Sequence, residues 1–240
     1  MRRQYKLMLA WVIAFVFGSG LYLVSEYHDA KEAILRDVKR ELGQAAQAVK
    51  YILPNGFHER VHKEGLKEIP IDVDDRNIFL ETSYARERNI RFLYSFAMQG
   101  TNVIFTSSSI NTNETFENPE VRFGFVFKES SGLVKEAFSR TGFSFEEAED
   151  RWGKFFAVYY TREEGGKKWI AGAEYRKDLF DSRLEEAVFR AARKLGLILA
   201  FFCVPYIIAI FGFRKDIVLL KDELSLLQVR YSKELRRGKK

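Results

Sequence analysis

Cysteine is nearly absent from this chain of 240 residues, which contains Cys203 alone. A disulfide needs two cysteines, so no disulfide framework supports the fold and its stability has to come from packing. Nucleotide-site motifs are missing too: there is no G-x-x-x-x-G-K-[ST] run and there are no kinase-like asparagine and glycine boxes. These absences predict a chain with no enzymatic activity, no catalytic residues and no cofactor.

Charge is missing from two long stretches, residues 7–24 and residues 195–213. Nineteen helical residues span roughly 28 Å, close to the roughly 30 Å hydrocarbon core of a bilayer, so the second stretch predicts a transmembrane helix. Pro205 is expected to kink it. In the first stretch the apolar run continues past Gly18-Ser19-Gly20 with no A-x-A-like site, which favours an uncleaved anchor over a cleaved signal peptide.

The net charge of +6 is unevenly distributed along the chain. Residues 26–194 hold 27 basic and 29 acidic residues, whereas the first six residues carry +3 and the tail from Arg214 carries +5. Basic residues beside apolar spans mark the cytoplasmic side, so this pattern argues against nucleic-acid binding. It predicts a two-pass membrane protein with both termini in the cytoplasm. The predicted segments are a terminus 1–6, a helix 7–24, an extracytoplasmic domain 25–194, a helix 195–213 and a tail 214–240.

Between the spans, the pattern predicts an α+β domain. Proline and glycine are absent from Leu21 to Leu42, and apolar residues recur every three or four positions from Glu26 to Leu53, so the first span is expected to continue outward as one long helix. A further helix is expected at 74–88. After it we expect short helices and two aromatic hairpins, strand 90–98 with 103–106 and strand 154–161 with 169–175. The result is an antiparallel sheet of about five strands, counting 121–127, with helices on one face.

A zinc-peptidase motif, H-E-x-x-H, is matched by His58-Glu59-Arg60-Val61-His62. On a helix this spacing places two imidazoles on one face for zinc, with the glutamate as general base, and Glu81 lies where a third ligand is possible. The local sequence argues for a short solvated helix instead, because Pro54-Asn55-Gly56 precedes the motif directly. We therefore predict no metal site and keep the zinc peptidase as a remote alternative.

The residues of the middle domain resemble the extracytoplasmic Cache (PAS-like) sensor domains of bacterial membrane receptors. The resemblance covers most of residues 26–185 and is carried by these segments: 53–60, 90–94, 102–108, 150–159, 165–167 and 171–174. It implies a single PAS/Cache-like domain held between two membrane helices, which binds a small ligand and passes a conformational signal to a kinase, a cyclase or a chemoreceptor rod. It also implies a homodimer. Glu174 departs from the pattern, where an aspartate is more usual.

The ligand pocket of such a domain is expected on the sheet face, with aromatic walls and a few convergent polar groups. Alternation and the resemblance together nominate these candidates: Tyr94, Phe96, Ser107, Arg122, Trp152, Tyr159 and Glu174. Core packing is the competing interpretation of each aromatic residue, a turn that of Ser107, and a surface ion pair that of Arg122. A fixed guanidinium suits a carboxylate ligand. The acidic run 146–150 is interpreted as a solvated loop rather than a cation site.

The tail contains a short heptad seam, since Ile217, Leu220, Leu224, Leu227 and Tyr231 are spaced by three and four residues in turn. It predicts a short C-terminal coiled coil that resembles the start of a signalling helix. Basic residues beside the membrane also suit anionic lipid. Two alternatives stay open: a stand-alone receptor that acts through a separate output protein, and the sensory part of a truncated or split sensor kinase or diguanylate cyclase.

Overall fold

In a computed structural model, the structure describes residues 2–54, 56–64, 69–110, 121–128, 132–150, 153–164 and 166–237. Within these ranges the side chains at 2–9, 62–64, 164, 202, 204–216 and 229–237 are not described. The chain divides into two compact units, residues 27–187 and residues 1–26 together with 188–240. The candidate site lies wholly within the first unit.

Five helices and five strands make up the described part of the chain. They are α1 (Arg2–Ile52), α2 (Phe57–Glu64), α3 (Ile71–Glu87), β1 (Phe92–Gln99), β2 (Asn102–Ser108), α4 (Gly132–Ala137), β3 (Gly142–Asp150), β4 (Gly153–Glu164), β5 (Lys167–Arg176) and α5 (Lys177–Arg237). The predicted long N-terminal helix is confirmed, because no residue in its apolar periodic stretch interrupts the backbone hydrogen bonding.

The strands form one sheet in the order β2-β1-β5-β4-β3, and every neighbouring pair is antiparallel. The predicted α+β fold with an antiparallel sheet of five strands is therefore confirmed. The two hairpins β1–β2 and β4–β5 lie where the sequence predicts them. Pairing of β1 with β5 brings the two hairpins together, so that β1 and β5 each have a partner on both sides.

The fifth strand is not the predicted one. Residues 121–128 do not form a strand; they contribute one isolated bridge, Val126 to Ile104, beside the outer edge of β2. The fifth strand is β3, which pairs with β4 from Gly142 to Asp150. The acidic run 146–150 therefore belongs to a strand and not to a loop. Its alternation of apolar residues stops after Phe145, which left the sequence signal weak.

The two faces of the sheet are covered differently. One face carries an aromatic cluster that includes Tyr94, Phe96 and Phe105 and packs against Val134 and Ala137 of α4. The other face meets helices: His58 of α2 stacks on Trp169 of β5 at 3.6 Å between ring centroids. We call them the aromatic face and the helix face.

Helix α3 begins earlier than predicted, at Ile71 rather than at Asp74 or Asp75. Pro70 occupies its N-cap, and Asp72 and Asp74 lie in the first turn, where the helix dipole favours negative charge. The inner face of α3 is unusually polar, since Asp74, Asn77, Glu81 and Thr82 are all buried.

One helix of the described residues is long and apolar enough to cross a membrane, the part of α1 that begins at Ala10. The second predicted span, 195–213, lies in α5, but most of its side chains fall outside the described residues. The predicted second span and coiled coil remain predictions.

Candidate ligand-binding site

A small cavity lies against the aromatic face, at the β2–β1–β5 end of the sheet. Its free volume is about 10 Å³, roughly enough for one water molecule. The residues that line it are Phe92, Tyr94, Phe96, Phe105, Ser108, Val121, Phe127 and Glu174. Four phenylalanines make most of the wall apolar, whereas Tyr94, Ser108 and Glu174 supply its polar groups.

The ring of Tyr94 reaches across the neighbouring strand because Gly172 leaves room for it. The two residues are paired in the β1–β5 register. A Cβ atom built on Gly172 would lie 1.9 Å from Cε2 of Tyr94, far inside van der Waals contact. A glycine at this position therefore lets the phenol lie over β5, near Glu174.

The polar end of the cavity is formed by Glu174 of β5, whose carboxylate is 7% exposed. Its Oε2 atom lies 3.7 Å from Nη1 of Arg91, which is beyond hydrogen-bond distance, and Oε2 has no hydrogen-bond partner among the described residues. Arg91 also lies 3.7 Å from Oδ1 of Asp150. One guanidinium therefore lies between two buried carboxylates, at 3.7 Å from each.

A second acidic group adjoins the site. The Tyr159 hydroxyl donates a hydrogen bond to Oε1 of Glu146 on β3. Burial and the charge of Glu146 raise the pKa of Tyr159 well above its ordinary value. Burial and the charge of Glu174 act in the same way on Tyr94. Both phenols are therefore protonated donors at neutral pH.

Carboxyl groups surround Glu174 at this end of the cavity. Asp150 shares the Arg91 guanidinium with Glu174, and the charges of Asp150 and Glu146 both act on the pKa of Glu174. Burial raises the pKa of Glu174 to about 8, with Asp150 and Glu146 raising it further, against the opposing effects of the Arg91 charge and of a hydrogen bond from Tyr94. Glu174 is therefore mostly protonated at pH 7, and a cationic group that bound beside it would replace that proton.

Four of the predicted site residues come together at this cavity. Tyr94, Phe96 and Glu174 line it, and Tyr159 belongs to the same aromatic cluster. Each aromatic residue is also part of the core, so packing and cavity lining are not alternatives here. Trp152 lies outside the described residues.

Ser107 lies on the helix face, away from the cavity. A β-bulge between Ser95 and Phe96 shifts the register of β1 and β2, and this shift breaks the simple alternation on which the prediction rested. The hydroxyls of Thr106 and Ser107 both contact the Ser95 hydroxyl, at 2.7 and 2.6 Å. Ser108 lines the cavity instead of Ser107, the residue that alternation favoured.

The bulge organises a buried polar network on the helix face. Nε2 of His58 lies 2.9 Å from the Ser95 hydroxyl, and Ser107 donates to Oε1 of Glu81 at 2.8 Å. Burial raises the pKa of Glu81 well above its ordinary value. The first histidine of the H-E-x-x-H match is thus a packed and hydrogen-bonded core residue.

The structure describes only part of the metal motif. The side chain of His62 lies outside the described residues, and among those described no group of three or more His, Cys, Asp or Glu residues is placed to hold a metal ion.

Arg122 points away from the cavity and pairs with two carboxylates of α3. Its Nη1 atom lies 3.2 Å from Oδ2 of Asp74 and 2.9 Å from Oδ1 of Asp75. The guanidinium that motivated the prediction of a carboxylate ligand is therefore already occupied by the protein's own carboxylates.

Sequence reasoning missed three residues at or near this site: Arg91, Ser108 and Glu146. Arg91 immediately precedes β1 and its amide donates to the Glu174 carbonyl oxygen at 2.8 Å, which marks it as paired with β5. Its position at the start of a predicted strand was an available signal. Glu146 was attributed to a loop because β3 went unrecognised.

No family model and no curated protein sequence matches the chain. Solved structures to which the chain is similar include the ligand-binding domain of the Campylobacter jejuni chemoreceptor Tlp3 in complex with 4-methylisoleucine. That match has 12% identity and a TM-score of 0.46, and it covers 69% of this chain and 62% of that one. The same domain in complex with L-norvaline has 11% identity and a TM-score of 0.47, and the match covers 71% of this chain and 62% of that one. An extracellular ligand binding receptor from Desulfohalobium retbaense has 12% identity and a TM-score of 0.41. That match covers 72% of this chain and 27% of the receptor chain. This chain thus spans less than two thirds of each of those chains.

Proposed function

We propose that residues 27–187 form an extracytoplasmic sensor domain, and that a small molecule binds in the cavity on the aromatic face. The observation that carries the proposal is the buried Oε2 atom of Glu174, which lines the cavity and has no hydrogen-bond partner among the described residues. A buried acceptor without a partner costs roughly 1–3 kcal/mol, so a bound donor there would relieve a real penalty.

The ligand class that suits this cavity is a primary amine with a small apolar body. An ammonium group would donate to the unpartnered Oε2 of Glu174, while the phenylalanines of the wall accept the apolar part. The earlier expectation of a carboxylate rested on Arg122, which Asp74 and Asp75 occupy.

The binding site is connected to the membrane-proximal helix by very little chain. β5 ends at Arg176 and α5 begins at Lys177, so Glu174 lies three residues before the helix that contains the predicted second span. We infer that ligand binding shifts the balance between two states of the domain and that α5 passes the shift to the cytoplasmic tail. A ligand shifts such a balance only by its difference in affinity for the two states.

The proposed receptor is a two-pass protein of the inner membrane with both termini in the cytoplasm. Pairing of two copies is proposed through the tail, where Ile217, Leu220, Leu224 and Leu227 are each more than half exposed in the single chain. A separate output protein and contact of the basic tail with anionic lipid are further parts of the proposal.

A thermal-shift screen of the full-length chain in lipid nanodiscs tests the proposed binding. Panels of primary amines, carboxylates and sugars are compared for wild type, Glu174→Gln and the exposed control Glu163→Gln. We expect amines to stabilise wild type and the control, by about 2.7 kcal/mol at 100 times Kd, and to stabilise Glu174→Gln much less. Stabilisation by sugars alone, or an equal amine effect in all three proteins, would contradict the proposal.

A further inference from the structure

The cavity is too small for the ligand that its chemistry suits. A free volume of about 10 Å³ holds roughly one water molecule, whereas even a small primary amine has several non-hydrogen atoms. If a ligand binds here, as proposed above, a wall has to move before it enters. The structure is therefore that of the closed state, and the question is which wall opens.

The sheet is the least mobile wall. Phe92, Tyr94 and Glu174 lie on β1 and β5, and each of these strands is hydrogen-bonded to neighbours on both sides. Moving either strand would break two ladders at once.

The opposite wall is a short segment, residues 121–128, which we call the strap. It contributes Val121 and Phe127 to the cavity lining, and the Phe127 ring stacks on Phe96 at 5.4 Å between centroids.

Backbone hydrogen bonds attach the strap to the outer edge of β2. Phe105 donates to the Phe125 carbonyl oxygen, Gly124 to that of Phe105, and Phe127 to that of Val103, each at 2.9 Å. β2 is an edge strand of the sheet, so these bonds can be broken without disturbing the pairing of β1, β5 and β4. The strap is the wall whose displacement leaves the rest of the sheet intact.

A second attachment joins the start of the strap to α3. Arg122 pairs with Asp74 and Asp75 in the first turns of that helix, at 3.2 and 2.9 Å. The Phe123 amide interacts with the Asp74 carboxylate as well. Asp74 is buried, whereas solvent reaches Asp75 and Arg122 in part. The exposed Arg122–Asp75 pair contributes little stability, so the strength of this attachment depends mainly on the pair of Arg122 with buried Asp74.

We propose that Arg122 is a latch that holds the strap closed over the cavity, and that release of Arg122 from Asp74 and Asp75 admits the ligand. The latch acts at a distance from the bound molecule: Arg122 is a gating residue and not a ligand-contacting one. This inference depends on the proposed function only for the chemical class of the ligand, because the strap and its attachments are contacts within the protein itself.

Hydrogen exchange of the full-length chain in nanodiscs, without ligand, tests the latch directly. The variants are Arg122→Gln and Asp75→Asn, and the matched control is Arg140→Gln, which removes an exposed arginine–carboxylate pair with Glu136 in another part of the domain. We expect both latch variants to speed exchange at the amides of Phe105, Gly124 and Phe127 by about two- to fivefold. The control should leave these amides unchanged, and no variant should alter exchange in β4 or β5.

Unchanged exchange in both latch variants would overturn the proposal. A uniform acceleration across β4 and β5 would overturn it as well, because it would mean that Arg122 stabilises the whole domain and not the strap.

Benzylamine binding to the same variants separates the latch from the proposed ligand class. If the closed state limits binding, the association rate of benzylamine should rise in the latch variants by the same factor as the exchange rate. Faster exchange without any benzylamine binding would support the latch and count against an amine ligand. Benzylamine binding with identical association rates in wild type and both latch variants would contradict the gating role.

Discussion

At the scale of single residues, the packing of Tyr94 against Gly172 makes the sharpest prediction. A Cβ at position 172 would lie 1.9 Å from the tyrosine ring, so Gly172→Ala should force the phenol out of its place. We expect a loss of about 1–3 kcal/mol in the free energy of unfolding, as for other overpacked cores, measured by urea denaturation.

Gly43→Ala is the control for this substitution. Its Cβ would meet only the Phe143 ring at 3.4 Å, and it lies within α1, so alanine should be neutral or stabilising by up to about 1 kcal/mol. Adding Tyr94→Ala to Gly172→Ala should remove most of the clash, which makes the two effects non-additive. Strict additivity would show that the ring does not lie where the structure places it.

At the scale of secondary-structure elements, the β2 bulge and the helices on it form a cooperative polar unit. Ser95 contacts His58, Thr106 and Ser107 at once. Ser95→Ala removes the shared partner and leaves several buried polar groups unsatisfied, so we expect a loss of about 1–3 kcal/mol in unfolding free energy. Ser139→Ala removes an exposed hydroxyl that donates to the Glu136 carbonyl oxygen, and it should cost much less. Equal costs would contradict the network.

The elements that were predictable from sequence are those with a repeated local signal. The 3.6-residue periodicity of α1 and the dense aromatic and β-branched runs of β1, β4 and β5 identify helix and strands without any tertiary information. β3 lacks such a signal, since glutamates at 146, 147 and 149 dilute its apolar positions, and its pairing with β4 is a tertiary fact. The candidate strand at 121–127 was apolar enough but is held by the edge of β2 in irregular form.

The candidate site was predictable to the extent that strand alternation holds. Alternation together with the family resemblance nominated Tyr94, Phe96, Tyr159 and Glu174, and the structure has these four residues on the aromatic face. A bulge inserts one residue, and no local sequence rule locates it, so Ser107 and Ser108 exchange roles. The partners of Arg122 lie 47 or more residues away in the sequence, and those of Arg91 lie on β3 and β5. Such contacts depend on the fold and are not visible in spacing.

At the scale of the whole molecule, the distribution of charge predicts the topology. Basic residues flank both apolar stretches on their outer ends, whereas residues 26–194 are close to neutral. Alkaline phosphatase and green fluorescent protein fused after Gly132 and after Lys240 should report opposite compartments, with Gly132 outside the cytoplasm. The same compartment for both positions would contradict a two-pass receptor.

The central claim is that a cationic ligand group replaces the proton of Glu174 in the cavity. Because the pKa of Glu174 is raised to about 8, binding below that pH has to expel a proton, so affinity should rise as pH rises towards 8 and then level off. The decisive measurement is calorimetric titration of the full-length chain, with the best amine from the screen, at pH 6, 7 and 8. For wild type we predict a Kd that falls about tenfold from pH 6 to 7 and less from 7 to 8; for Glu174→Gln we predict weaker binding with no such dependence. A flat profile in wild type, or the same slope in Glu174→Gln, would contradict the account.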